Sequence, residues 1–235
     1  QPRDLSVTGR TLPGVRFAVP FLADATRRVL SGDTQDKPLS GHKIVVIGGG
    51  DTGNDCVGTS VRMGADAVTQ LEIMPPSPQE RAGNNPWPRW PFVFKTDYGQ
   101  HEAIWMYGRD PRTFEVTAVS IEGTDEAGVT GIETVQVEWV DGERGRMPRP
   151  LEATRRRLPA TDVLIAMGFV GAETYLPEAL SLQLNRDRFE TSREGVFAAG
   201  DMRTGQSLVV RAEADARNAA LAVERWLLDK KKAKA

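Results

Sequence analysis

The residues with the clearest chemical purpose are three glycines, Gly48, Gly50 and Gly53, which have the spacing Gly-x-Gly-x-x-Gly. They follow an apolar strand predicted at 43–47, and a helix is predicted at 52–63. In such a loop the first glycine permits a tight turn, the second lets the backbone approach a pyrophosphate, and the third lets the helix pack on the strand. The pattern predicts a dinucleotide-binding loop, with glycines that merely end a strand as the alternative.

A second strand, predicted at 69–74, completes a βαβ unit and carries an acidic residue at a position that bears on cofactor choice. Glu72 lies 19 residues beyond Gly53, where a carboxylate can accept hydrogen bonds from the adenosine ribose and would repel a 2′-phosphate. This favours NADH. Arg81 in the following loop could instead direct its guanidinium to a 2′-phosphate, or be an ordinary solvated arginine, so NADH and NADPH both stay open.

The elements that must position this loop follow the apolar patterns of the chain. Helices are predicted at 15–30 and 206–228, antiparallel strands at 114–122 and 131–139, and buried strands at 163–168 and 195–200. The segment 84–91 is too rich in proline for a helix or a central strand. We expect a surface loop there, with Trp87 and Trp90 packed beneath it.

Composition argues against several classes of protein. The chain has 235 residues and a formal net charge of −2, so its overall charge does not favour binding to nucleic acid or to an anionic membrane. Its apolar runs are only a few residues long, and we expect neither a membrane partner nor any location but the cytoplasm. Cys56 is the single cysteine, which argues against a disulfide or a metal cluster and favours a buried apolar role.

Four segments together resemble the small (beta) subunit of glutamate synthase. They are GGGDTGNDCVGTS at 48–60, QLEIMPPSPQERAGNNPWPRWP at 70–91, KTDYGQHEA at 95–103 and GVFAAGDMRTGQSLVV at 195–210. The Asn-Pro-Trp-Pro and Asp-Tyr-Gly elements are far more specific than a glycine loop. The resemblance covers nearly the whole chain, but only the C-terminal half of that family's polypeptide.

This resemblance implies an α/β fold of the glutathione-reductase type, with a Rossmann-like parallel sheet, helices and an antiparallel β layer. The family oxidises NAD(P)H, transfers hydride to FAD and passes electrons through iron–sulfur clusters to a large, glutamate-forming subunit. Its nicotinamide domain is inserted within the flavin domain. The expected organisation is therefore a flavin-domain exit segment and linker at 1–36, an NAD(P)H-binding domain at 37–168 and a flavin-domain return segment at 169–235.

The same resemblance implies a set of cofactor-binding residues. The pyrophosphate of NAD(P)H would be cradled by residues 48–53, and Arg81 would lie near the adenosine ribose, while Gly168 would close the nucleotide domain. Gly200 and Asp201 would meet the ribityl and phosphate region of FAD, and Gln206 and Ser207, at the start of the last helix, would face the flavin ring. The pyrophosphate set consists of Gly48, Gly49, Gly50, Asp51, Thr52 and Gly53. No catalytic side chain and no metal ligand is expected, since hydride transfer depends on orientation.

The sequence also departs from the family pattern. The family's first half, with its cluster cysteines and its own flavin fingerprint, is not in this sequence, so we expect FAD to bind weakly or not at all to this chain alone. That half and the large subunit are the expected partners. Arg211 and Glu213 replace apolar residues on the last helix, and we expect both to be exposed. The alternatives are a relative that feeds a ferredoxin-linked or pyrimidine-reducing system, or a truncated or engineered scaffold without catalysis.

Overall fold

The computed structural model describes residues 1–34, 36–143 and 145–233. Its elements in chain order are β1 (Val15–Phe17), α1 (Ala18–Leu30), β2 (Lys43–Ile47), α2 (Asp51–Arg62), β3 (Ala67–Glu72), α3 (Tyr98–Tyr107), β4 (Arg112–Phe114), β5 (Val116–Thr124), β6 (Gly128–Gly142), β7 (Gly145–Pro159), β8 (Asp162–Ile165), α4 (Tyr175–Ala179), α5 (Asp201–Thr204) and α6 (Val209–Lys232). They divide into two compact units, residues 4–168, and residues 1–3 with the chain from 169 onward.

The unit at 4–168 is built on a five-stranded parallel sheet in the order β1-β8-β2-β3-β4. The central strand β2 is buried over four successive residues, because both faces of the sheet are covered. Ile44 and Val46 pack with the apolar faces of α1 and α2, including Phe21 and Val57. Alternation along the strand therefore sends the neighbouring side chains to the opposite face.

That opposite face packs against a second, antiparallel sheet in the order β5-β6-β7. Val45 and Ile47 join a core with Ile121 and Ile132 of the antiparallel sheet. The predicted fold class, a Rossmann-like parallel sheet with helices and an antiparallel β layer, is therefore confirmed.

The prediction of a helix at 15–30 was wrong in its first turn. Val15–Phe17 forms β1, which pairs with Val163–Ile165 of β8, and the helix begins at Ala18. Residues 4–34, with β1 and α1, belong to the same compact unit as the rest of the parallel sheet, whereas the predicted boundary lies at residue 36. Residues 15–17 form a strand although their sequence pattern favours a helix, because the strand gains backbone hydrogen bonds at the edge of the sheet.

The unit from residue 169 onward contains α4, α5 and α6. The buried strand predicted at 195–200 is wrong, since this segment is irregular and only Phe197 forms an isolated bridge, with Glu190. Phe197 instead packs edge-on against Trp226 of α6, with ring centroids 5.9 Å apart. In α6, Arg211 and Glu213 are exposed, as predicted.

The Pro/Trp-rich segment at 84–91 forms turns, bends and irregular backbone, as predicted, and this irregular region extends over residues 73–97. The predicted packing of its aromatic residues was wrong. Trp87 and Trp90 are 79% and 74% exposed. Among the described residues, no helix has the length and apolar character needed to cross a membrane.

Candidate nucleotide-binding site

The glycine loop leaves the carboxyl end of β2 through backbone positions that only glycine fits. Gly48 has a φ of +125°, and a Cβ there would overlap the carbonyl oxygen of Ala166, which follows β8. Gly53, in the first turn of α2, leaves no space for a Cβ because the carbonyl oxygen of Gly48 lies against it. The first and third glycines therefore shape the turn and let α2 pack closely on the sheet.

Gly50 differs because it faces open space. It precedes α2 in an extended conformation, and among the described residues none has an atom within 4 Å of a Cβ placed there. The first helical hydrogen bond runs from the Asn54 amide to the Gly50 carbonyl over 3.0 Å. The amides of residues 51–53 thus precede the helical ladder, and within the described chain no side chain caps them. Such amides and the positive helix end are suited to phosphate oxygens.

Glu72 lies directly beside this loop at the end of β3. Its Oε1 accepts a hydrogen bond from the Met74 amide over 2.7 Å, while Oε2 occupies the space that a Cβ on Gly49 would need. The carboxylate is therefore held next to the glycine loop, in the position where acidic residues of such folds meet a ribose.

A cleft of about 290 Å³ joins these features. Four of the predicted site residues line it, namely Gly49, Gly50, Asp51 and Glu72. The rest of its wall comes from α2, from the segment between β3 and α3, from α3 and from β4. These residues are Asn54, Met74, Pro75, Ser77, Trp90, Pro91, Phe92, Val93, Phe94, Lys95, Asp97, Gln100, Arg112 and Phe114.

Arg81, which the resemblance would place near the adenosine ribose, forms hydrogen bonds within its own loop. Its Nη1 donates hydrogen bonds of 2.9 Å to the carbonyl oxygens of Asn85 and Arg89, so it holds its own loop together. Among the described residues, those lining the cleft include neither Arg81 nor Thr52 nor Gly53.

A buried hydrogen-bond network of side-chain amides supports the glycine loop, and it was not predicted from the sequence. Gln70 of β3 donates to the carbonyl oxygen of Gly48 over 2.9 Å, and Gln100 of α3 donates to Gln70 over 3.1 Å. The side-chain oxygen of Asn54 in α2 accepts a hydrogen bond from the backbone N–H of Gln100 over 3.1 Å. The signal available in the sequence was Asp97 followed three residues later by Gln100, a capping box at the start of α3.

Arg112 fixes the far wall of the cleft. Its guanidinium lies over the Phe94 ring and donates to the Lys95 carbonyl over 2.8 Å and to Asp110 over 2.7 Å. Burial acts to raise the pKa of Asp110, but hydrogen bonds from Arg112 outweigh it and bring that pKa below its usual value. Arg112 is thus engaged with protein groups, whereas the side chain of Lys95 is 63% exposed at the cleft and its ammonium lies 3.6 Å from the Asp97 carboxylate.

Cys56 lies in α2 and is fully buried. Burial, assisted by the nearby charge of Asp55, raises the pKa of its thiol to about 12. Its complete burial in an apolar core confirms the predicted role of Cys56 as a buried apolar side chain. A thiol with this raised pKa is also a poor nucleophile at neutral pH. The described residues hold no group of three or more His, Cys, Asp and Glu side chains suited to a metal ion.

The predicted flavin-contacting residues lie in the second unit. Ser207 donates to the Asp201 carboxylate over 2.9 Å, and the Gln206 side chain donates to the Phe169 carbonyl over 2.9 Å. Their predicted place at the start of the last helix was wrong, because α6 begins at Val209 and both residues precede it. Gly168, exposed with a φ of +77°, ends the first unit.

Gly200 is held by a partly buried ion pair of the same unit. The Asp215 carboxylate accepts from the Gly200 amide over 2.7 Å and pairs with Arg203. Hydrogen bonding to Arg203, followed by the Gly200 amide, lowers the pKa of Asp215 despite the opposing effect of burial.

Glutamate synthases from several organisms are similar to nearly the whole chain. It is 41% identical over 225 residues to a glutamate synthase [NADH] of Schizosaccharomyces pombe, covering 89% of this chain and 10% of that protein. It is 37% identical to the glutamate synthase [NADPH] small chain of Bacillus subtilis and 40% identical to that of Mycobacterium tuberculosis. Each match covers 96% of this chain but only 48% and 47% of the relative, so the chain spans about half the length of these small chains.

Solved structures agree on the fold. FprA from Mycobacterium tuberculosis matches with a TM-score of 0.69 and 17% identity, over 100% of this chain and 63% of FprA. FprA in complex with NADPH matches with a TM-score of 0.67. No protein-family model matches the chain. The predicted resemblance is nevertheless confirmed by the relatives: nearly the whole of this chain is similar to about half of a glutamate synthase small chain.

Proposed function

We propose that this chain binds NAD(P)H as the electron-input portion of a glutamate-synthase-like flavoprotein. The observation that carries the proposal is one cleft that combines the open Gly50, Asp51 at the uncapped start of α2, and the carboxylate of Glu72. These groups provide three interactions that a bound dinucleotide requires. They allow close approach of the pyrophosphate, donate hydrogen bonds to its oxygens, and accept hydrogen bonds from the ribose hydroxyls. Similarity to glutamate synthase small chains supports the same proposal.

The proposed chemistry is hydride transfer from the nicotinamide to FAD, with electrons passed on to a glutamate-forming subunit. FAD, when bound, would supply the ring that accepts the hydride. The exposed carboxylate of Asp201, with the Ser207 hydroxyl hydrogen-bonded to it, is a donor and acceptor set suited to a ribityl hydroxyl. Gly200 and Gln206 would contribute to the same region. These residues would bind and orient, and none would react.

We further propose a preference for NADH over NADPH. Glu72 is held beside the glycine loop by the Met74 amide, so a 2′-phosphate on the adenosine ribose would meet a negative charge. Arg81 is the residue that could neutralise this phosphate, but its Nη1 group donates hydrogen bonds to two carbonyl oxygens of its own loop. The fungal relative is named for NADH and the bacterial ones for NADPH, so titration must decide.

The test is calorimetric titration of the full chain with NADH and with NADPH. We expect binding of NADH and weaker binding of NADPH. Gly50→Ala should weaken NADH binding at least about tenfold, because the methyl group would occupy the space of the pyrophosphate. Gly83→Ala is the matched control, since a Cβ on Gly83 also meets no described residue within 4 Å. Equal binding of NADH by the Gly50→Ala variant and the unaltered chain would refute the proposed site.

The flavin half of the proposal needs a separate measurement. The chain is incubated with FAD and freed of excess, and absorbance near the flavin band is followed anaerobically while NADH is added. Bleaching of bound flavin by NADH supports hydride transfer within this chain. A chain that binds NADH but retains no FAD would limit the proposed role of this chain to nucleotide binding.

A further inference from the structure

The loop at 81–92 has a defined shape because one buried amide side chain holds it. Asn85 is only 5% exposed, and its Nδ2 donates to the Trp90 carbonyl over 2.9 Å. Its Oδ1 accepts from the Phe92 amide over 2.8 Å. Arg81 adds two hydrogen bonds to carbonyls of the same loop. The backbone on both sides of Pro91 is thereby fixed.

This well-held loop nevertheless exposes large aromatic side chains. Trp90 is 74% exposed and Phe92 is 69% exposed. Exposed aromatic surface of this size gains no stability from burial, so a loop that holds it in place suits the binding of another flat, apolar group. Trp87 of the same loop is equally exposed, but it is not among the described residues that line the cleft, whereas Trp90 and Phe92 are.

The position of Trp90 within the cleft indicates which part of a ligand it would meet. In the proposed function the pyrophosphate lies at Gly50 and the adenosine ribose at Glu72. The base attached to that ribose must therefore extend away from the glycine loop into the remaining part of the cleft. That part is formed by the residues after β3, by Trp90 and Phe92, and by the end of β4.

We propose that Trp90 stacks on the adenine of the bound dinucleotide, with Asn85 and Arg81 as the positioning residues that hold it there. This inference rests on the proposed function and adds a binding residue to it. An indole ring presents a large π-face to any base, and base–aromatic stacking contributes substantially to affinity. The two hydrogen bonds of Asn85 thus hold the exposed Trp90 in position to stack on the base.

The test uses ADP-ribose, which contains the adenine and pyrophosphate but no nicotinamide, titrated calorimetrically into the full chain. Trp90→Ala should weaken binding by roughly 5- to 100-fold, and Trp90→Phe should restore most of the affinity because a phenyl ring also stacks. Trp87→Ala, the matched control in the same loop, should bind like the unaltered chain. ADP-ribose should quench indole fluorescence in the unaltered chain and in Trp87→Ala, and quench it less in Trp90→Phe.

The outcomes separate this inference from the proposed function. If the unaltered chain binds ADP-ribose and Trp90→Ala binds it equally well, the inference is overturned and the proposed function stands. If Trp87→Ala and Trp90→Ala lose affinity alike, or Trp90→Phe restores none, stacking by Trp90 is overturned. If the unaltered chain binds neither ADP-ribose nor NADH, the proposed function fails and this inference with it.

Discussion

The side-chain amide of Gln70 donates a 2.9 Å hydrogen bond to the carbonyl oxygen of Gly48, the atom that a Cβ on Gly53 would overlap. The turn, the strand β3 and the first turn of α2 therefore meet at one oxygen atom. A change at any of the three positions should disturb the loop that receives the ligand.

Gly53→Ala should destabilise the fold by about 1–3 kcal/mol, the usual cost of forcing an extra methyl group into a packed interior. Urea denaturation followed by circular dichroism measures this directly. Gly50→Ala is the matched control, since a Cβ there meets no described residue within 4 Å, and it should change the free energy of unfolding by less than about 1 kcal/mol. Equal stability of the two variants would contradict the packing described for Gly53.

Glu72→Gln should shift the cofactor preference toward NADPH. The substitution keeps the size of the side chain and removes the negative charge that faces the adenosine ribose. Loss of this repulsion should improve NADPH binding relative to NADH by at least about 1 kcal/mol, or roughly fivefold. The ratio of the two dissociation constants is the measurement.

The control for this substitution is Glu80→Gln, an exposed carboxylate in the following loop. It should leave the ratio of the dissociation constants unchanged. An unchanged ratio in Glu72→Gln would show that Glu72 does not set the preference.

The Cys56 thiol should be inert in the folded protein. Burial raises its pKa to about 12, so almost none is thiolate at pH 8, and a reagent also has no direct access to it. Titration with a chromogenic disulfide at pH 8 should detect almost no reactive thiol per chain within minutes in buffer. In guanidinium chloride it should detect one thiol per chain. Rapid reaction of the folded chain would mean that α2 opens readily.

Asp215→Asn should destabilise the unit that contains α5 and α6 in a pH-dependent way. The folded pKa of Asp215 is lowered, so its stabilising effect is complete above its unfolded pKa of about 3.9 and is lost as pH falls through the folded pKa. The variant should melt roughly 2–8 °C lower than the unaltered chain at pH 7. This gap should close as the pH is lowered below about 4.

Thermal melts at a series of pH values test this, with Asp229→Asn as the control. Asp229 is an exposed carboxylate on the same helix. Its removal should not produce a gap that varies with pH. A gap of constant size in Asp215→Asn would show that the ion pair with Arg203 is not its cause.

Local patterns predicted the central elements well. The strand β2, the glycine loop and the helix α2 follow from apolar periodicity and glycine spacing, which act within a few residues. The strand β7 was missed because its sequence is rich in arginine and includes Pro148 and Pro150. It lies at the edge of the sheet β5-β6-β7, where one side of the backbone needs no partner and proline is tolerated.

The sequence by itself determined the positions of Gly48, Gly50 and Gly53, because their spacing alone sets the turn and the start of the helix. It also placed Glu72 close to the end of the next strand, although the predicted strand at 69–74 runs two residues beyond the observed end of β3 at Glu72. Only the tertiary structure decided that Arg81 holds its own loop and that Trp90 stands exposed at the cleft. The reason is physical: side-chain hydrogen bonds and burial depend on contacts between segments distant in the chain, and no local pattern encodes which partner a long side chain will find.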